Sequence, residues 1–386
     1  MRNKSILFLD QYSNLSGGQK VLFNIVSYLC NENNNCKVIL PEPGPLSIKL
    51  ENIKANCIYF PMGYYSIGKK SFLESLTYLL RLPLLVILLC NYLRKEKVDL
   101  VYANGARTFP WATIACSLTN TPLVWHIHSI FSKGINKTIC SYFGKFNCIK
   151  RIIAVSAITA APFKELASKI DIIHNGVTIP SETGKSYLLK KEFGISDNEL
   201  LIGCAGMLEE WKNQEDLIRA ASICLSRHKN IRFFIIGDSL FKNGSAKQYK
   251  NKLVKLNNEL NLKDKLIFTG FRSNINDIMN SLDILVICSK EPDPCPMVSL
   301  EAASLGLAIV SSNLGGVTEI FKDNEDILFY APGDSFNLAN KLNELIQNKE
   351  LIQRLGANAK LKILKLYNLN VFLAKINSSL SKAYNV

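Results

Sequence analysis

The sequence predicts an α/β protein of two doubly wound domains with a cleft between them, and three observations predict it. Short β-branched or aromatic runs alternate with longer stretches of helical period. The alternation stops at a segment of small, polar and breaker residues and then begins again. At 386 residues the chain is also too long for one ordinary core and suits two.

In the first half the strand-like runs are SILFLD (5–10), CKVILP (36–41), NCIYFP (56–61), VDLVYANG (98–105), PLVWHIH (122–128) and CIKRIIAVS (148–156). Helical stretches lie between several of them, such as GQKVLFNIVSYLCNE, whose Val21, Leu22, Ile25, Val26 and Leu29 share one face. Strands alternating with helices call for a parallel sheet covered on both sides. After DIIHNGV comes TIPSETGKS (178–186), the linker candidate. The pattern restarts with LLIGCAGM, IRFFIIGD, KLIFTGF, DILVICS, LAIVSSN and ILFYAPGD, and from Ser335 onward the tail reads as helix. Ligands of such sheets bind beyond the carboxyl ends of the strands.

Composition narrows the function. Apolar residues make up 48% of the chain, ample for burial. The eleven cysteines are scattered without CxxC or Cys/His ligand spacing, which predicts no metal site and suits a reducing compartment. The start, MRNKSILFLDQY, has too short an apolar run for a signal peptide, so a cytoplasmic protein is expected. Net charge is +14, and residues 1–175 hold 20 basic and 9 acidic residues, a net +11. The first half is thus the part suited to an anionic partner. No arginine-rich helix or aromatic RNA-binding motif points to nucleic acid; an anionic membrane surface or a phosphorylated acceptor fits. Residues 75–97, SLTYLLRLPLLVILLCNYLRKEK, are apolar over most of their length and end in a basic cluster. They read first as a buried helix broken near Pro83, and alternatively as a helix lying on a membrane interface with its basic end at the headgroups.

Three loops carry the chemistry. SNLSGGQK follows the first strand, and Gly17 and Gly18 allow a ligand close to the main chain at a helix start, though a glycine pair is often only a turn. In GCAGMLEEWKNQEDLIRAA, Lys212 is expected to open an amphipathic helix, where an ammonium is disfavoured by the dipole unless it meets an anion. In EPDPCPMVSLEAASLG, the prolines hold a loop open until a helix begins near Met297. Asp293 then precedes that helix and Glu301 lies within its first turns, both able to accept hydrogen bonds from sugar or ribose hydroxyls. The amides of Met297, Val298 and Ser299 can hold an anion. The plainer alternatives are a turn-forming Asp293 and a Glu301 paired to a neighbouring helix.

In this order, these elements resemble the GT-B glycosyltransferases, specifically the large retaining family four group that uses nucleotide-sugar donors. The resemblance runs over essentially the whole chain. It rests on the acid-x7-Glu of Asp293 and Glu301 with AASLGLAIVSSNLGGVTEI behind it, on IIHNGV, GMLEEWKNQ, PGDSFNLANKLNELI, SGGQ and VWHIHS. It implies two Rossmann-like domains: an acceptor-binding one over 1–177, a nucleotide-sugar-binding one over 178–365, and a terminal helix, 366–386, crossing back to the first. It implies that Lys212 neutralises the leaving diphosphate, with Gly17 and Gly18 approaching it. Glu301 would hold the ribose, and Asp293 the hydroxyls of the transferred sugar. His128, and secondarily His126, would sit beside that sugar. Asn175 and the helix start at Met297, Val298 and Ser299 would complete the substrate contacts.

The chain departs from the family where Met207 replaces the usual arginine, leaving one diphosphate-binding cation out; Arg272 is a candidate substitute. Asp293 shortens the usual glutamate, and Pro294–Cys295–Pro296 replaces proline–aromatic–glycine. The reading is a metal-independent hexosyltransferase with no cofactor beyond its nucleotide-sugar co-substrate. Its acceptor would be lipid-linked or a polysaccharide of a bacterial surface glycan (capsule, O-antigen or lipopolysaccharide), met at the cytoplasmic face of the inner membrane. The alternatives are a nucleotide-sugar epimerase on the same fold and a catalytically weak nucleotide-sugar-binding partner of another transferase.

Overall fold

The structure, a computed structural model, describes residues 3–63, 72–131, 134–180, 184–238 and 244–384. The chain divides into two units, Met1–Gly176 with Asn370–Val386, and Val177–Leu369. The linker expected at 178–186 lies partly outside the described residues, and the first boundary falls just ahead of it.

The first unit is built on a seven-stranded sheet. Its strands are β1 (Ser5–Asp10), β2 (Asn35–Leu40), β3 (Asn56–Tyr59), β4 (Leu100–Asn104), β5 (Leu123–Ile127), β6 (Ile149–Ala154) and β7 (Ile170–Ile172). They run in the order β3-β2-β1-β4-β5-β6-β7, and every pairing is parallel. The chain order reverses at β1, whose neighbours are β2 and β4. The end of β1 therefore opens onto a topological switch point, where such sheets bind ligands. β4 and β5 are buried at every position, as a sheet covered on both faces requires. Phe109 stacks on Trp125 with ring centroids 4.4 Å apart, filling the space between helix and sheet.

The second unit repeats the plan with six parallel strands: β8 (Leu200–Ala205), β9 (Ile231–Ile236), β10 (Leu266–Gly270), β11 (Ile284–Ile287), β12 (Ala308–Ser312) and β13 (Leu328–Tyr330). Their order is β10-β9-β8-β11-β12-β13, so its switch point lies between β8 and β11. The helical tail comprises Ser335–Gln347, Lys349–Lys362, a π-turn at Ile363–Tyr367 and Leu369–Tyr384. The last helix buries Phe372, Leu373, Ile376 and Leu380, and its Ser379 hydroxyl donates to Asp171 in β7 at 2.7 Å. Residues from Asn370 on thus belong with the first unit, four positions later than the terminal segment expected from 366.

The 75–97 segment corrects its first reading. It forms one helix, Phe72–Glu96, which continues through Pro83. Of its most apolar 18-residue window only 11% is buried. Leu85, Leu89, Cys90 and Leu93 enter the core, while Phe72, Leu73, Leu76, Leu79, Leu80, Leu84 and Ile87 face outward. Hydropathy alone could not separate a core-facing apolar residue from one turned outward.

Candidate active site

In the first unit the polar residues collect where β1, β4 and β5 end. Asp10, the last residue of β1, is fully buried. It accepts hydrogen bonds from Gln19 Nε2 at 3.0 and 3.1 Å, from Asn104 Nδ2 at 2.6 Å and from the Tyr12 amide at 2.9 Å. Burial outweighs these donors and pushes the carboxyl up to about 7. Asn104 ends β4, and its Oδ1 lies 2.8 Å from His128 Nε2. Burial pushes His128 down to about 4, so the ring is neutral at pH 7.

His126 lies behind His128, with ring centroids 4.0 Å apart, and its Nδ1 is 2.7 Å from the Tyr102 hydroxyl. It is fully buried and burial holds its pKa well below the usual imidazole range. The ring backs His128, and its Nε2 has no hydrogen-bond partner among the described residues. Gly17 and Gly18 begin the helix Gly17–Asn31 and neither has a positive φ, so the backbone does not demand glycine there. A Cβ on Gly18 would lie 3.6 Å from the His128 ring, an ordinary van der Waals contact, so the packing does not demand glycine either. Asn175 is buried, and its Oδ1 has no hydrogen-bond partner among the described residues.

In the second unit, Lys212 corrects its expected position. It closes a short 3-10 turn, Glu210–Lys212. Asn213 then takes a left-handed φ of 50°, and the helix proper runs Glu215–Arg227. Lys212 therefore lies ahead of the first helical turn and not within it. Its Nζ sits 2.5 Å from Asp293 Oδ2 and 4.2 Å from the centroid of the Trp211 ring. Trp211 gave no sequence signal, and neither did Asp10 or Asn104 beyond being polar residues at the ends of apolar strands.

The helix Met297–Leu305 begins where expected, and Glu301 lies within it, half-buried. Met297 and Val298 occupy the first turn, whose amides have no intrahelical acceptor. Ser299 corrects the anion-binding set, because its amide donates to the Pro296 carbonyl at 3.0 Å. The Asp293 loop is gripped by the glycine pair after β12: the Gly316 amide donates to the Asp293 carbonyl at 2.8 Å. A Cβ on Gly316 would lie 2.0 Å from the Pro294 carbonyl oxygen, and Gly315 has a φ of +83°. Met207 follows Gly206 after β8 and is half-buried, and its carbonyl accepts from Gln214 Nε2 at 2.9 Å. Arg272, the candidate substitute cation, is instead engaged by Glu192. Among the described residues no cluster of three or more metal-ligating side chains occurs.

Two family models match the chain, Glycosyltransferase Family 4 over residues 15–179 and Glycosyl transferases group 1 over residues 187–362. The chain is 26% identical over 371 residues to the UDP-Gal:alpha-D-GlcNAc-diphosphoundecaprenol alpha-1,3-galactosyltransferase of Escherichia coli, covering 92% of this chain and 91% of that one. Among solved structures it superposes on Anabaena HepE in complex with UDP and glucose, with a TM-score of 0.82 and 25% identity over 98% of this chain and 100% of that one. Sucrose-phosphate synthase of Thermosynechococcus elongatus, 14% identical, shares the fold with a TM-score of 0.81 over 99% and 100% of the two chains.

Proposed function

This chain belongs to the GT-B glycosyltransferases of family 4, and from that premise we propose that it transfers a glycosyl unit from a nucleoside diphosphate sugar to an acceptor hydroxyl. The acceptor is a lipid-linked or polysaccharide glycan of a bacterial surface polymer, and configuration at the anomeric carbon is retained. The observation that carries the reading is the placement of Lys212. One ammonium stands at the carboxyl end of β8, paired with the acid that precedes the Met297–Leu305 helix. As the bond from the anomeric carbon to the β-phosphate oxygen breaks, negative charge grows on the departing diphosphate. Lys212 keeps donors beyond the one turned to Asp293, and together with the Met297 and Val298 amides it can take up that charge. That is the work a divalent ion would otherwise do, so transfer proceeds without one. The acceptor oxygen attacks from the leaving-group face and its proton passes to the departing phosphate. Glu301 holds the ribose, and Asp293 accepts from hydroxyls of the transferred sugar. HepE binds UDP and glucose, and the Escherichia coli relative acts on a diphosphoundecaprenol-linked sugar, which supports a nucleotide-sugar donor and a lipid-linked acceptor here.

The first unit supports a peripheral place on an anionic bilayer. It holds 22 basic and 9 acidic residues, a net +13, whereas Val177–Leu369 holds 24 and 23, a net +1. The outward residues of the Phe72–Glu96 helix fall on one stripe, and Arg94 continues that stripe at its C-terminal end, beside Lys95. From Leu85 on, the helix has one face in the core. Ahead of it, Tyr78 and Leu82 already pack against that core, so even the 72–84 part, about 20 Å of helix against a hydrocarbon layer of about 30 Å, is not free on all sides. The helix therefore lies in the interface and does not span.

The decisive test incubates the protein with UDP- and GDP-sugars and lipid-linked acceptors extracted from bacterial membranes, following the glycolipid product by mass spectrometry. Thermal unfolding is recorded in parallel with each nucleotide. Binding of a nucleoside diphosphate should raise the melting temperature, and the new linkage should keep the donor's anomeric configuration in the presence of a chelator. No stabilisation by any nucleoside diphosphate, or an inverted product, would overturn the reading.

A further inference from the structure

The hydrogen bonds around His128 have a direction that is fixed from one end. A backbone carbonyl only accepts, and so does the Asp10 carboxylate above its pKa of about 7. Asn104 must therefore turn its Nδ2 toward Asp10, and the same nitrogen also faces the Gly18 carbonyl at 3.4 Å. Its Oδ1 is thereby committed to His128 Nε2. Gln19 cannot relieve this arrangement by turning over. Its Nε2 bridges both Asp10 oxygens while its Oε1 accepts from the Ser16 hydroxyl. An amide oxygen only accepts, so the proton on His128 must sit on Nε2. Nδ1, which has no hydrogen-bond partner among the described residues, then carries the lone pair. Gly18 lies over the face of the ring, where a Cβ would sit 3.6–3.8 Å from Cγ, Cδ2 and Nδ1.

We propose that Asp10 and Asn104 are positioning residues that lock His128 in the Nε2–H tautomer, so that Nδ1 accepts a hydrogen bond from a hydroxyl of the bound substrate. The identity of that hydroxyl rests on the glycosyl-transfer reading; the tautomer does not. The wrong tautomer would present an N–H to a hydroxyl that must then reverse its own donor role, misplacing the substrate at the reacting carbon.

The test is the tautomer itself, read from two-bond 1H–15N correlations of imidazole-labelled protein at pH 8, with the His128 signals identified by their loss in His128→Gln. The wild-type ring should show the Nε2–H pattern. In Asp10→Asn the residue at position 10 can donate to Asn104, which is then free to turn its Nδ2 to His128, and the pattern should move toward Nδ1–H. In transfer assays that variant should lose roughly 10²-fold in kcat with little change in KM. If it fails to fold, Asn104→Ala serves: the Nε2 proton loses its acceptor and the ring should become a tautomer mixture. An Nδ1–H wild-type ring overturns the proposal, as does an Asp10→Asn protein that keeps both tautomer and turnover. A tautomer that responds as expected in a protein with no transferase activity would uphold the lock and bring down the glycosyl-transfer reading instead.

Discussion

Lys212 and Asp293, eighty-one positions apart, meet as an ion pair with Nζ 2.5 Å from Oδ2. Their side chains are only 18% and 13% exposed, and the Trp211 ring faces the same ammonium. The cation assigned to the diphosphate is thus partly neutralised by the acid assigned to the sugar, and the arginine that would stand at Met207 is missing. On the proposed assignment, the pair would hold the ammonium in place before ligand arrives, at some cost in its attraction for phosphate.

The two residues should therefore respond differently to substitution. Lys212→Ala removes the charge proposed to meet the leaving group and should lower kcat by about 10²-fold or more, roughly 3 kcal/mol of barrier. Asp293→Asn releases Lys212 from its competing anion, so UDP or GDP should bind several-fold more tightly while sugar transfer falls. Calorimetric titration with the free nucleotide checks this; weaker nucleotide binding in Asp293→Asn would show that the acid helps the phosphate site and does not compete with it. Met207→Arg should also tighten nucleotide binding, by about tenfold for one added charge-assisted hydrogen bond.

Gly316→Ala should disturb the site without touching any charged residue. Its Cβ would enter the Pro294 carbonyl, 2.0 Å away, and push out the loop that carries Asp293. A loss of about 1–3 kcal/mol in unfolding free energy is expected, with reduced turnover. Denaturant titration measures the first and initial rates the second. Unchanged stability would mean the loop yields without strain.

Asp10 gives a pH signature. Its folded pKa of about 7 lies above the ordinary carboxyl value of 3.8, so the folded chain holds a proton there that the unfolded chain has lost. Stability from this group is present below about pH 4 and falls as pH rises to about 7. His128, pushed down to about 4 from 6.5, acts in the opposite sense, its contribution rising between those values. Subtracting the stability of Asp10→Asn from that of wild type isolates the carboxyl. The difference should decline from pH 4 to 7 and level off above; a flat difference would place the folded pKa near the unfolded one.

The helix Phe72–Glu96 predicts vesicle binding. Wild-type protein should sediment with vesicles containing anionic phospholipid at moderate salt and much less with neutral ones. Leu79→Glu with Leu80→Glu puts two charges on the outward stripe, away from the core, and should abolish sedimentation while leaving the fold intact. Equal sedimentation of that variant would remove the helix from the interface. A change in oligomeric state in its place would assign the stripe to a second copy of the chain.

Every strand of the two sheets except the short edge strand β7, the parallel architecture and the start of the Met297–Leu305 helix were legible in the sequence. Each follows from period, β-branching and proline placement within a dozen residues. The acids at 293 and 301 and the lysine at 212 were legible as chemistry-bearing types in loops after strands. Their partners were decided by tertiary structure alone. Asp10 and Asn104 end β1 and β4 while His128 directly follows β5, and only the order β1-β4-β5 lines those ends up; Lys212 reaches Asp293 because β8 and β11 are neighbours. The outward stripe of the Phe72–Glu96 helix was hidden for a related reason. Composition records that a residue avoids water, whereas only the packed fold decides whether the rest of the chain is there to cover it.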